Sequence, residues 1–125
     1  MVLVAVDDLL FRSKISSAAK VAGVEIKAAT SRDAVLQRAR ELRPQLIIFD
    51  LDSARIEPLQ VLQQLAQDPD LAQVPTIAFV SHVHADLIRA ARASGVGEVL
   101  ARSAFVAALP AILARHGTAP DNAVE

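Results

Sequence analysis

Hydrophobic and polar positions alternate along this chain in two rhythms. Leu46-Ile47-Ile48-Phe49 is a run of four large apolar residues that stops at Asp50-Leu51-Asp52, with Pro44 marking its entry. Its β-branched and aromatic content, without alternation, predicts a strand covered on both faces. Leu3 to Val6 repeats the pattern and stops at Asp7-Asp8, and Thr76 to Val80 forms a third buried strand opened by Pro75. Val24, Ile26 and Ala28 alternate with Glu25 and Lys27, as expected of a half-exposed strand near a sheet edge. Val99 to Ala101 is a short last strand.

Between these runs the apolar residues recur at helical spacing. Leu9 to Ala22 carries Phe11, Ile15, Ala18, Ala19 and Ala22 on one face, with Gly23 as its stop. Ser31 caps a second helix with Asp33 in its first turn, and Val35, Ala39 and Leu42 face inward before Arg43-Pro44 ends it. A loop from Asp52 to Glu57 leads to Pro58 in the first turn of a third helix, with Leu59, Leu62, Leu65 and Ala66 inward, broken by Asp68-Pro69-Asp70. Ala85 to Ser94 reads as a helix closed by Gly95. The last helix contains Pro110. Since an interior proline costs about 3 kcal/mol, that helix is expected to begin no earlier than about Val106, after an irregular Ser103 to Phe105.

Five βα units in this order call for a parallel sheet with helices on both faces and right-handed crossovers. All strands then share one carboxyl edge, where open α/β sheets place their ligands. Asp7, Asp8, Asp50, Asp52, Val80, Ser81 and Arg102 gather there, and Asp50 is the residue to account for. A partly desolvated carboxylate is costly unless a cation or hydrogen bonds compensate it.

Composition narrows the function. One domain over residues 1–116 with a flexible tail over 117–125 is the natural division of 125 residues. No apolar run reaches the roughly 18 residues of a membrane span, and the start lacks the basic segment of a signal peptide, so a cytoplasmic protein is expected. The absence of cysteine excludes disulfides, thiol catalysis and zinc-thiolate sites. A net charge of −1 with 3% aromatics offers neither the basic stripe nor the stacking platform of a nucleic-acid binder.

With these residues in place, the chain resembles the receiver domain of bacterial two-component response regulators over nearly its whole length. The match lies in the acidic pair Asp7-Asp8 after the first strand, Asp50 at the end of the third, and the cationic Arg102 at the end of the fifth. The resemblance implies a flavodoxin-like (βα)5 three-layer sandwich whose five-stranded sheet has the order 2-1-3-4-5. It also implies Mg²⁺ held by Asp7, Asp8, Asp50 and the backbone carbonyl of Asp52, with Asp50 accepting a phosphoryl group from a histidine kinase. Mg²⁺ prefers oxygen ligands and keeps several waters, which suits carboxylates on adjacent strand ends.

Several positions depart from the family pattern. The hydroxyl-bearing phosphoryl ligand at the end of the fourth strand falls on Val80, which has no donor, and Ser81 stands in only if the strand has already ended. The family's lysine falls on Arg102, whose broad fork could pair with Asp50 and occupy the site, and the proline after it on Ser103. The aromatic switch position falls on Val99, the Met-Pro of the loop after the acceptor on Ser53-Ala54, and a usual glycine on Pro58. Acid ligands survive while the read-out parts do not.

The expected function is therefore a stand-alone, atypical receiver-like signalling module, not an enzyme. It acts through contact with a histidine kinase, another regulator or a second copy of itself via the last helix and strand, with weak or no phosphorylation. The alternative is a working single-domain regulator phosphorylated on Asp50 with Mg²⁺. A remote alternative takes Asp50-Leu51-Asp52 as the Asp-x-Asp motif of haloacid-dehalogenase-type phosphatases, but that motif follows a first strand and needs a lysine and an acidic pair downstream. His82-x-His84-x-Asp86 reads as loop and helix start, not as a metal site. Arg89, Arg92 and Arg102 are expected on a mildly basic face near the fourth helix and fifth strand.

Overall fold

The computed structural model describes residues 1–81 and 84–116. The elements run β1 (Val2–Ala5), α1 (Leu9–Ala22), β2 (Ile26–Ala28), α2 (Arg32–Leu42), β3 (Leu46–Asp50), α3 (Pro58–Gln67), β4 (Thr76–Val80), α4 (Ala85–Ala93), β5 (Glu98–Ala101) and α5 (Arg102–His116). All four strand pairings are parallel, and the five-stranded sheet has the order β2-β1-β3-β4-β5. Residues 117–125, expected as a tail, and His82 lie outside the described residues.

The sheet is sandwiched because its central strands are apolar on both faces. Val2, Val4, Leu46, Ile48, Ile77 and Phe79 pack against Phe11 and Ile15 of α1 and Phe105, Leu109, Ile112 and Leu113 of α5. Leu3, Ala5, Ile47, Phe49, Ala78 and Val80 face the opposite layer of α2, α3 and α4. Strand alternation thus sends Asp50, two residues beyond Ile48, to the α1/α5 side and Val80 to the α3/α4 side. No described helix is long and apolar enough to cross a membrane.

Local signals explain the element ends. The Asp8 and Ser31 side chains accept from the Phe11 and Ala34 backbone N–H groups at 3.1 and 3.2 Å, capping α1 and α2. Gly23, at φ +72°, turns the chain out of α1 in the left-handed region that favours glycine. Pro58 occupies the first turn of α3, where its missing N–H is harmless. His84 is the residue before α4, as a helix-start reading requires.

The last helix departs from expectation. It starts at Arg102 directly after β5, runs through Ser103 to Phe105, and carries Pro110 in its interior. Phe105 and Leu109 are each at most 2% exposed, so their burial favours helix across the whole stretch. Pro110 itself is exposed, so its ring displaces nothing from the core, and its cost is the helical hydrogen bond its missing N–H cannot make. Smaller corrections concern inward faces. Leu42 is 39% exposed, and Ala22 and Ala66 are exposed as well. Leu36 and Val61 are the buried residues of α2 and α3 that the expected faces left out.

Candidate functional site

The carboxyl edge of the sheet collects the acidic residues because β1 and β3 are neighbours and both end there. Asp50, the last residue of β3, is only 8% exposed. Its Oδ1 accepts the Asp52 backbone N–H at 2.9 Å, which turns the chain sharply after the strand. Burial pushes the Asp50 carboxyl above its usual range, and the charges of Asp52 and Asp7 push it the same way. The Asp52 N–H and, more weakly, the Arg102 guanidinium oppose that rise. An ionised Asp50 is thus an incompletely compensated charge at the centre of the edge.

Asp8 has a different environment. Its Oδ1 is taken by the Phe11 N–H, and its Oδ2 lies 3.5 Å from Nη2 of Arg102. The Phe11 N–H, with help from the Arg102 charge, holds the Asp8 carboxyl below its usual range. Asp52 turns its carboxylate toward the end of β4, where Oδ2 accepts the Ser81 N–H at 2.7 Å. The strand has ended by then. Ser81 is exposed, and its Oγ accepts from Nη1 of Arg102 at 3.1 Å. Val80 is 2% exposed and packs into the α3/α4 layer, giving that position no polar atom.

Arg102 is therefore not paired with Asp50, as one expectation had it, but with Asp8 and Ser81. Its guanidinium carbon also sits 4.0 Å from the centroid of the Phe11 ring, with Phe79 at 5.9 Å. Phe11, Phe79 and Phe105 form a tilted and stacked aromatic cluster beneath it. The expected basic face loses Arg102 to this edge, and Arg89 pairs with Asp86. Phe11 as a platform was missed by sequence reasoning, since its helical spacing marks it only as core. Ser53 was missed too. It is 6% exposed, and its Oγ accepts the Ile56 N–H at 3.2 Å, bracing the turn behind Asp50. The Ser-x-x-Ile spacing is the one signal that could have suggested it.

The receiver resemblance implies a divalent cation, and the donor set fits one only in part. Among the described residues no three acidic or histidine side chains stand together as a metal cage. Asp50 and Asp7, the second of which raises the cost of ionising the first, suit a cation held through two carboxylates and water, the manner in which Mg²⁺ is often bound. Asp8 and the Asp52 side chain already have partners.

A doubly wound parallel sheet in the order 2-1-3-4-5, with carboxylates at its carboxyl edge, defines a flavodoxin-like fold. The chain belongs to the response regulator receiver domain family, whose model matches residues 2–113. Solved structures agree on the fold. A response regulator from Hahella chejuensis has TM-score 0.83 and 18% identity, covering 94% of each chain. The Mn²⁺-bound form of response regulator Rcp1 has TM-score 0.80 and 17% identity, covering 94% of this chain and 95% of that one. The chemotaxis response regulator CheY4 of Vibrio cholerae has TM-score 0.79 and 19% identity, covering 91% and 95%. No curated protein matches the chain. Asp50-Leu51-Asp52 follows the third strand here, not the first strand that the phosphatase motif follows.

Proposed function

We propose that this receiver domain is a cytoplasmic signalling module that works by protein contact, with a histidine kinase, another regulator or a second copy, and with weak or no phosphorylation of Asp50. The observation that carries this reading is Val80. At the position where the family supplies a hydroxyl to the phosphoryl group, a valine 2% exposed is packed into the α3/α4 layer. A phosphoryl group on Asp50 would find no donor there. A hydrogen bond to a charged group is worth about 1.5–3 kcal/mol, and in this position it is also the link by which phosphorylation reaches the rest of the domain. Ser81 stands one residue further on, past the end of β4, where its Oγ accepts from Nη1 of Arg102.

The second reading, a regulator phosphorylated on Asp50, is favoured by the charge of Asp7 beside that carboxylate, which Mg²⁺ would neutralise. Incubation with acetyl phosphate and Mg²⁺, followed by intact mass, separates the two. The proposal expects at most a trace of phosphorylated species in wild type and none in Asp50→Asn. A phosphoryl adduct that accumulates in wild type and is absent from the variant overturns it.

A further inference from the structure

We propose that the Arg102 guanidinium is a tethered counter-cation that holds the acidic edge closed against a divalent ion, so that metal affinity here is set by opening this contact. The inference rests on the receiver-type reading of the edge as a cation site, and is independent of whether Asp50 is phosphorylated.

Three contacts from three places hold the guanidinium. Asp8 at the β1–α1 junction pairs with Nη2 at 3.5 Å, Ser81 past the end of β4 accepts from Nη1 at 3.1 Å, and the Phe11 ring lies 4.0 Å beneath the carbon. Arg102 is itself the first residue of α5, so the contact ties β4, α1 and α5 together at the mouth of the acidic edge. A lysine could not do this. Its ammonium is a compact point charge, without the planar face that a guanidinium lays on a ring while its fork reaches two acceptors.

The contact also engages a candidate ligand atom, Asp8 Oδ2. Both Asp8 oxygens have partners, the Phe11 N–H and Arg102, and the Asp52 side chain is held by the Ser81 N–H. A cation entering beside Asp50 and Asp7 meets a fixed positive charge, and it gains Asp8 as a ligand only by displacing Arg102. An exposed ion pair and a cation–π contact together are worth roughly tenfold in an equilibrium constant.

The test is Mn²⁺ binding, read from the electron paramagnetic resonance signal of the free ion. Wild type, Arg102→Ala, Arg102→Lys, Phe11→Leu and the double variant Arg102→Ala/Asp50→Asn are compared, with amide NMR spectra reporting the fold. Arg102→Ala is expected to bind about tenfold more tightly than wild type. Arg102→Lys and Phe11→Leu, which keep every charge but weaken the contact, should tighten binding about threefold. The gain should vanish with Asp50→Asn. If Arg102→Ala binds within twofold of wild type or more weakly, the proposal is overturned. It is equally overturned if Arg102→Ala tightens binding while both charge-preserving variants do not, since simple repulsion would then suffice. Should Arg102→Ala fail to fold, the charge-preserving variants decide alone. A wild type phosphorylated by acetyl phosphate overturns the proposed function and leaves the effect of Arg102 on Mn²⁺ to be read separately.

Discussion

Replacing Asp50 by asparagine should stabilise the protein at neutral pH, although it removes the residue on which the family's chemistry depends. The side chain is 8% exposed and its Oδ1 accepts the Asp52 N–H at 2.9 Å, a role that an amide oxygen can keep. The substitution turns a charge-assisted hydrogen bond into a neutral one, a loss of about 1 kcal/mol. Against this stand the desolvation of an ionised carboxylate and its repulsion by Asp52 and Asp7, the causes that raise its pKa. Relief of a buried group without full compensation is worth about 1–3 kcal/mol, more when it is charged, so the net gain is about 1 kcal/mol. Unfolding entropy of about 2.1 cal/mol/K per residue converts this to about 4 °C in Tm for a chain of this size.

The pH dependence supplies the sharper check. Because folding raises the Asp50 pKa, the folded state holds its proton more tightly than the unfolded state. That preference stabilises the protein fully below the unfolded pKa and is lost as pH rises through the folded one. Asparagine does not titrate, so its advantage over wild type should be greatest near neutrality and fade as pH falls toward about 4, the ordinary aspartate range. Calorimetry of both proteins in metal-free buffer between those limits measures the difference, in which the other carboxylates largely cancel. A variant that melts no higher than wild type at neutral pH, or an advantage that persists in acid, refutes the reasoning.

Val80→Thr should cost about 1–2 kcal/mol in urea unfolding, because it places a hydroxyl where valine packs against the α3/α4 layer; full neutrality would mean that the site already offers the hydroxyl a partner. Pro110→Ala should stabilise α5 by about 1–3 kcal/mol, since the site is exposed and helical, and a lower melting temperature would show that the proline fits a local distortion. Gly97→Ala should destabilise by about 2 kcal/mol or more by thermal melting, because its Cβ would lie 2.6 Å from the Thr76 carbonyl oxygen and a backbone atom cannot move aside cheaply. A wild-type melting curve for that variant would place the two strands further apart than described.

The sheet and its carboxyl edge were legible because unbroken apolar runs ending in acid carry their own position, as at Leu46 to Asp50 and Leu3 to Asp8. Helix starts were legible where a side chain caps locally, as at Ser31. The start of α5 was not. Pro110 carries a strong local penalty against helix, and what outweighs it is the burial of Phe105 and Leu109 against α1 and the sheet, which no local pattern displays. The partners of Arg102 were out of reach for the same reason. Asp8 and Phe11 sit at the start of α1 and Ser81 past the end of β4, all far from Arg102 in sequence, and the choice between Asp8 and Asp50 as its acid depends on side-chain reach once the fold exists.

That choice explains an otherwise odd pairing of charges. A cation at the end of β5 beside a buried Asp50 would be expected to pull its pKa down. Yet Asp50 is raised, and Arg102 is the weakest of the influences on it. The guanidinium is held over Phe11 and directed at Asp8, so its charge acts chiefly on the carboxylate that caps α1. Asp8 already accepts the Phe11 N–H and lies at the positive end of the α1 dipole, which leaves it well compensated. The Phe11 N–H and the tethered guanidinium therefore favour the ionised outer acid and leave the inner one short of positive charge. An acidic edge arranged this way keeps a demand for a cation at Asp50 while blocking one route by which a metal would meet it.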